Sequence, residues 1–134
     1  MNNPIEIPDN IMEIMLHADG KALATTGESG INVVPVSSIR ISDNQIWLIN
    51  YFMNKTYQNI VKNPHVALAC WKGLEGYQIK GKARIHTKGL LFDGARAWIA
   101  EILPNRIVKG LIIISPQEIY DVSASAERAG HKMV

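Results

Sequence analysis

Ile46-Trp-Leu-Ile-Asn-Tyr-Phe-Met-Asn-Lys-Thr-Tyr-Gln-Asn-Ile-Val-Lys-Asn-Pro-His65 sets an apolar strand directly before Asn54-Lys55-Thr56, and then a short helical run that Asn63-Pro64 brings to an end. A helix start leaves its first backbone N–H groups without intrahelical partners and carries partial positive charge. An anion held there gains hydrogen bonds and a favourable field together, while Lys55 adds a full charge and Thr56 a hydroxyl. The junction is a candidate phosphate site; the alternative is Asn54 as a plain N-cap and Lys55 as a solvated surface residue.

On the N-terminal side, Asp9 stands before Ile11, Met12, Ile14, Met15 and Leu16 at helical spacing, which predicts a capped helix within residues 1–20. Ala22–Thr26 and Ile31–Ile41 read as two strands joined by a turn at Gly27–Gly30, and Ser42–Gln45 as a second turn leading into Ile46–Tyr51. On the C-terminal side, Val66–Trp71 is a continuous apolar run of strand length. In Tyr77–His86 the alternation is strict: Tyr77, Ile79, Gly81, Ala83 and Ile85 are apolar or small, while Gln78, Lys80, Lys82, Arg84 and His86 are polar. A helix over Leu90–Leu103 carries the stripe Leu91, Ala95, Trp98 and Ile102 and stops at Pro104. The last strands are expected at Ile107–Ile114 and Gln117–Val122, split by Ser115-Pro116, and residues 123–134 read as a surface arm. These elements predict one domain over residues 1–134. Its fold class is mainly β, a six- to seven-stranded antiparallel barrel with two to three packed helices.

With 47% hydrophobic and 19% charged residues the chain has material for a real core. A net charge of +2, with both signs interspersed, lacks the basic stripe of a nucleic-acid binder. No apolar run reaches the roughly 20 residues of a membrane span, and the N-terminus has no signal-like pattern, so the expectation is a cytoplasmic protein without nucleic-acid or membrane partners. Cys70, the single cysteine, reads as a small buried hydrophobe.

The chain has no Gly-x-Gly-x-x-Gly, no Walker loop, no His-Glu-x-x-His and no Gly-x-Ser-x-Gly. His17, His65, His86 and His131 are too dispersed to suggest a metal, and no carboxylate pair marks an acid and base. No catalytic side chain or metal ligand is therefore assigned, and any reaction is expected to be carried by a cofactor.

Five motifs follow one another at close spacing: Pro35-Val-Ser-Ser38, Ile49-Asn50, Asn54-Lys-Thr56, Asn63-Pro-His-Val-Ala-Leu68 and Tyr77-Gln-Ile-Lys-Gly-Lys-Ala83. Together they resemble the pyridoxamine-phosphate-oxidase-like, FMN-binding split-barrel family, in particular its small single-domain flavoproteins. The resemblance covers Ala22 to Val122, with Ile119-Tyr-Asp-Val and Ala129-Gly-His-Lys also matching small members. It implies a Greek-key split barrel that binds FMN at a homodimer interface. Val34, Pro35, Val36, Ser37 and Ser38 would hold the ring edge and phosphate, with Ile49 and Asn50 at the next strand end. Lys55 would bind phosphate beside Asn54 and Thr56, Gln78 would touch the ring, and Trp71 or Trp98 could come from the partner chain. Where the oxidase places an early arginine, Val33 and Val34 stand here, leaving phosphate binding to Lys55, Thr56, the serines and Arg40. The oxidase's substrate residues and longer C-terminal region have no counterparts.

The function implied is an FMN-binding redox flavoprotein, an oxidoreductase or flavin reductase passing electrons from NAD(P)H or another donor to a small-molecule or protein acceptor. The alternatives are a deazaflavin (F420)-dependent reductase and a non-catalytic flavin-binding or storage module.

Overall fold

A computed structural model describes residues 5–134, so the first four residues of the expected N-terminal segment lie outside the described residues. Seven strands among the described residues form one sheet: β1 (Gly20–Gly27), β2 (Gly30–Pro35), β3 (Ile39–Ser42), β4 (Gln45–Asn50), β5 (His65–Lys72), β6 (Glu75–His86) and β7 (Gly110–Asp121). Their order is β2-β1-β5-β6-β7-β4-β3, and every pairing is antiparallel. β2 and β3 lie at opposite edges, yet only Val36, Ser37 and Ser38 separate them in the chain. Four Cα steps reach no further than about 14 Å. The two edges must therefore approach each other, and the sheet curls into a mainly-β split barrel with one open seam.

Strands that bury both faces read as continuous apolar runs. β4 and β7 do this: Ile46, Leu48, Ile112 and Ile114 enter the barrel core, while Trp47, Ile49, Leu111 and Ile113 pack on the outside against α3 (Leu90–Ile102). α1 (Asp9–Leu16) adds Ile11 and Met15 to the barrel core, and α2 (Lys55–Lys62) adds Ile60. The β3–β4 turn places Asp43 and Asn44 at φ values of 50° and 60°, the left-handed pair that a tight two-residue hairpin requires.

Several elements differ from the sequence reading, each for a physical reason. The expected single strand Ile31–Ile41 is broken at Val36–Ser38, where the chain leaves one edge of the sheet for the other. The two expected last strands are one, β7, because a bulge between Lys80 and Gly81 accommodates Pro116. The Pro116 carbonyl accepts the N–H of Ile5 at 3.0 Å. A Cβ on Gly81 would lie 2.2 Å from the Ser115 carbonyl oxygen, so only glycine permits this approach. α3 is turned so that Ala95 and Ile99 are buried with Phe92 and Trp98 alongside, while Leu91 and Ile102 stay exposed. Pro8 occupies the N-cap position of α1 and Asp9 falls in its first turn without a capping bond.

Residues 123–134 are fixed rather than free. Along β7 only Gly110–Ile114 pair with β4, and the arm takes the edge left open beyond them. There Asp121 N–H donates to the His131 carbonyl at 2.8 Å and Met133 N–H to the Ile119 carbonyl at 2.7 Å. The Arg128 guanidinium donates to Asp121 Oδ2 and to Tyr77 Oη, each at 2.9 Å.

A candidate cofactor site at the barrel seam

The seam crossing leaves a cleft of about 410 Å³, a size typical of small-ligand sites, which run from about 300 to 1,000 Å³. One wall is the crossing itself, Val34, Pro35, Val36 and Ser37. Opposite it stand Ile49 from β4 and Tyr51, Phe52 and Met53 from the β4–α2 connection, with Arg106 entering from the loop between α3 and β7. The walls are mostly apolar, and Arg106 is the one charged residue among these lining residues.

Hydrogen bonds hold this frame. Ser38 and Tyr51, both buried, join their hydroxyls at 2.8 Å, tying the crossing to the end of β4. Asn50 is buried and its Oδ1 accepts the Met53 N–H at 2.7 Å, shaping the connection. Lys109 N–H donates to the Asn50 carbonyl at 2.9 Å, bringing the α3–β7 loop alongside. The Arg106 guanidinium lies 5.1 Å from the Tyr51 ring centroid and the Lys109 ammonium 5.8 Å from that of Phe52, within cation–π range.

Of the residues singled out from sequence, Val34, Pro35, Val36, Ser37 and Ile49 line the cleft, while Ser38 and Asn50 hold its walls through the bonds just described. Asn54 sits at the N-cap position of α2 without capping it; its Oδ1 accepts from Gln58 Nε2 at 3.2 Å. Lys55 is exposed and borders a separate crevice of about 70 Å³ with Glu28, Ser29, Gln58 and Lys62. Thr56 is buried, and its Oγ1 accepts from Asn32 Nδ2 at 2.9 Å. Gln78 lies on the outer sheet face, opposite Ala69 and Tyr120. Arg40 stands 5.7 Å from both the Trp47 and Trp98 ring centroids, on the α3 side of the sheet. Trp71 lies across Gly20, where a Cβ would meet its ring at 2.3 Å.

Tyr51, Phe52, Met53 and Arg106 were not selected from sequence. The first three directly follow Ile49-Asn50, so the strand end carried a local signal; Arg106 is brought in from the far side of α3 by tertiary folding alone.

No group of three or more metal-ligating side chains occurs among the described residues. Burial pushes the Cys70 thiol up to about 12, only partly offset by nearby Lys21, so at neutral pH it is a protonated core residue. His86 is half-buried, and its Nε2 is buried without a hydrogen-bond partner. No helix among the described residues is long and apolar enough to cross a membrane.

This chain is 32% identical over 111 residues to an uncharacterized protein of Methanocaldococcus jannaschii, covering 78% of this chain and 74% of that protein. Among solved structures, HupZ of Group A Streptococcus superposes with a TM-score of 0.80 at 22% identity, covering 93% of this chain and 98% of that one. An FMN-binding protein of Syntrophomonas wolfei superposes with a TM-score of 0.72 at 15% identity, covering 87% and 88%. The sequence pattern of the pyridoxamine 5'-phosphate oxidase family matches residues 7–123, and the chain belongs to that family.

Proposed function

We propose that this protein is a cytoplasmic FMN-dependent oxidoreductase, active as a homodimer. The observation that carries the reading is the seam cleft, where Val34 and Pro35 of β2, Val36 and Ser37 of the crossing, and Ile49 of β4 come together. Its apolar walls suit a planar aromatic ring, and the Ser37 hydroxyl offers the ring edge a hydrogen-bonding group.

FMN supplies two-electron chemistry when bound. The chain's own residues bind it, orient it and keep water from it. Val34, Val36 and Met53 shield the ring, and Ser38 and Asn50 keep the walls in place. Lys55 and the first N–H groups of α2 provide charge and donors for the phosphate, with Thr56 held beside them by Asn32. A deazaflavin, with its longer charged tail, would call for more cations than these. The electron donor is NAD(P)H or a comparable reductant, and the acceptor a small molecule or a protein.

The dimer reading rests on the outer sheet face. Ile31 and Val33 of β2 are 79% and 61% exposed, next to Ala22, Ala24, Ala67 and Ala69 on the same face. A second copy covering this apolar surface would bring Gln78 and Trp71 into the interface.

The test is the absorbance spectrum of the purified protein, with the mass of whatever heat releases from it. Flavin bands with FMN in the supernatant support the reading. A colourless protein that does not take up added FMN overturns it.

A further inference from the structure

Arg106 is the single charge on the walls of the seam cleft. Its N–H donates to the Leu103 carbonyl at 3.0 Å, closing the turn that presents it, and Tyr51 lies 5.1 Å away as its aromatic support. The ion pairs among the described residues involve His17, Lys62 and Arg128; Arg106 is in none of them, and the carboxylate that shares a groove with it, Asp93, lies on the α3 side, outside the seam cleft. None of the other nearby cations lines the cleft: Lys55 stands at the start of α2, Lys109 lies over Phe52 at the rim, and Arg40 lies against Trp47 and Trp98.

Arg106 is exposed, but a ring seated against the apolar walls would exclude water on its own side of the cleft, so the guanidinium's field on that ring would be less screened than in bulk water. It favours the more negative of any two ligand states. An oxidised flavin ring is neutral; taking a hydride, two electrons and one proton, gives a singly negative reduced ring. The donor of the proposed reaction supplies that hydride and leaves as its oxidised form.

We infer that Arg106 sets the reduction potential of the bound flavin by holding the reduced, anionic ring more tightly than the oxidised one. The inference rests on the FMN reading above. The assignment is to the ring rather than the phosphate, because Arg106 shares its cleft with Val34, Val36, Ile49 and Met53, whereas Lys55 stands at the start of α2.

The experiment is an equilibrium reductive titration of FMN-loaded wild type, Arg106→Gln and Arg106→Lys against a reference dye. Titrations with oxidised FMN and with riboflavin accompany it. Arg106→Gln should lower the potential by about 30 mV or more, a tenfold loss of preference for the reduced ring in a two-electron couple. Arg106→Lys should restore most of the difference, and riboflavin should respond as FMN does. An unchanged potential in Arg106→Gln with FMN still bound overturns the inference and leaves the FMN reading standing. Weakened FMN binding with riboflavin binding intact also overturns it, by moving Arg106 to the phosphate. A wild type that takes up no flavin removes both.

Discussion

Ser38 Oγ and Tyr51 Oη lie 2.8 Å apart across the barrel seam, and both residues are buried. The bond joins the segment that crosses between the sheet edges to the end of β4, so it fixes the spacing of two walls of the cleft. Tyr51→Phe leaves the Ser38 hydroxyl buried without that partner. The expected cost is about 1–2 kcal/mol, a fall in melting temperature of roughly 3–8 °C for a domain of this size. Thermal melting of the two proteins checks it; an unchanged Tm would show that the bond does not brace the seam.

Lys55 is exposed at the first position of α2, where a dianionic phosphate would meet both its ammonium and the helix start. Lys55→Ala should weaken FMN binding by roughly 1.5–3 kcal/mol, about ten- to a hundredfold. Riboflavin, which has no phosphate, should bind both proteins alike. Equal FMN titrations for wild type and variant would take Lys55 out of the site.

Three amide side chains link α2 with the β1–β2 hairpin. Asn59 Nδ2 donates to Thr25 Oγ1 at 3.0 Å, Asn63 Nδ2 to Thr26 Oγ1 at 2.9 Å, and Asn32 Nδ2 to Thr56 Oγ1 at 2.9 Å. Asn59 and Thr25 are both buried, so Asn59→Ala strands a hydroxyl in the interior. Urea unfolding should show a loss of about 1–3 kcal/mol at an unchanged m-value. A midpoint equal to that of wild type would mean that water satisfies Thr25 and that the link is dispensable.

The C-terminal arm should respond to acid. Burial alone would raise the Asp121 carboxyl, but the hydrogen bonds from Ser123 and the Arg128 guanidinium outweigh it and hold the group below the ordinary carboxylate range. A depressed folded-state pKa means that the unfolded chain binds the proton more readily. The stabilisation is therefore complete above about pH 4, the unperturbed Asp value, and is lost as pH falls further toward the folded pKa. Asp121→Asn should flatten the acid limb of a stability-against-pH curve. Superimposable curves for the two proteins would rule this carboxylate out as the acid-sensitive group.

Local chemistry made much of the fold legible in the sequence. The strict alternation of β6, the Asp43-Asn44 turn and the Pro64 stop all act within a few residues, and each appears where the sequence indicates. What escaped depends on partners far along the chain. Whether Ile31–Ile41 is one strand or two depends on the sheet edges meeting at Val36–Ser38, which no local signal reports. Pro116 reads as a break until the bulge at Gly81 is seen opposite it. The arm lacks periodicity because its order comes from Asp121, Tyr77 and the free edge of β7, not from its own residues. The site divides the same way. Val34–Ser37 and Ile49 could be marked from the motif order, while Arg106 reaches the cleft only because α3 turns the chain back toward β4.

Amide chemical-shift mapping on isotope-labelled protein titrated with FMN decides whether FMN lies in the seam cleft. The largest shifts should cluster at Val34–Ser38, Ile49–Met53, Lys55–Thr56 and Arg106, with a second set at Gln78 if the interface closes over the ring. Shifts centred on the outer face of α3, or none at saturating FMN, would contradict it.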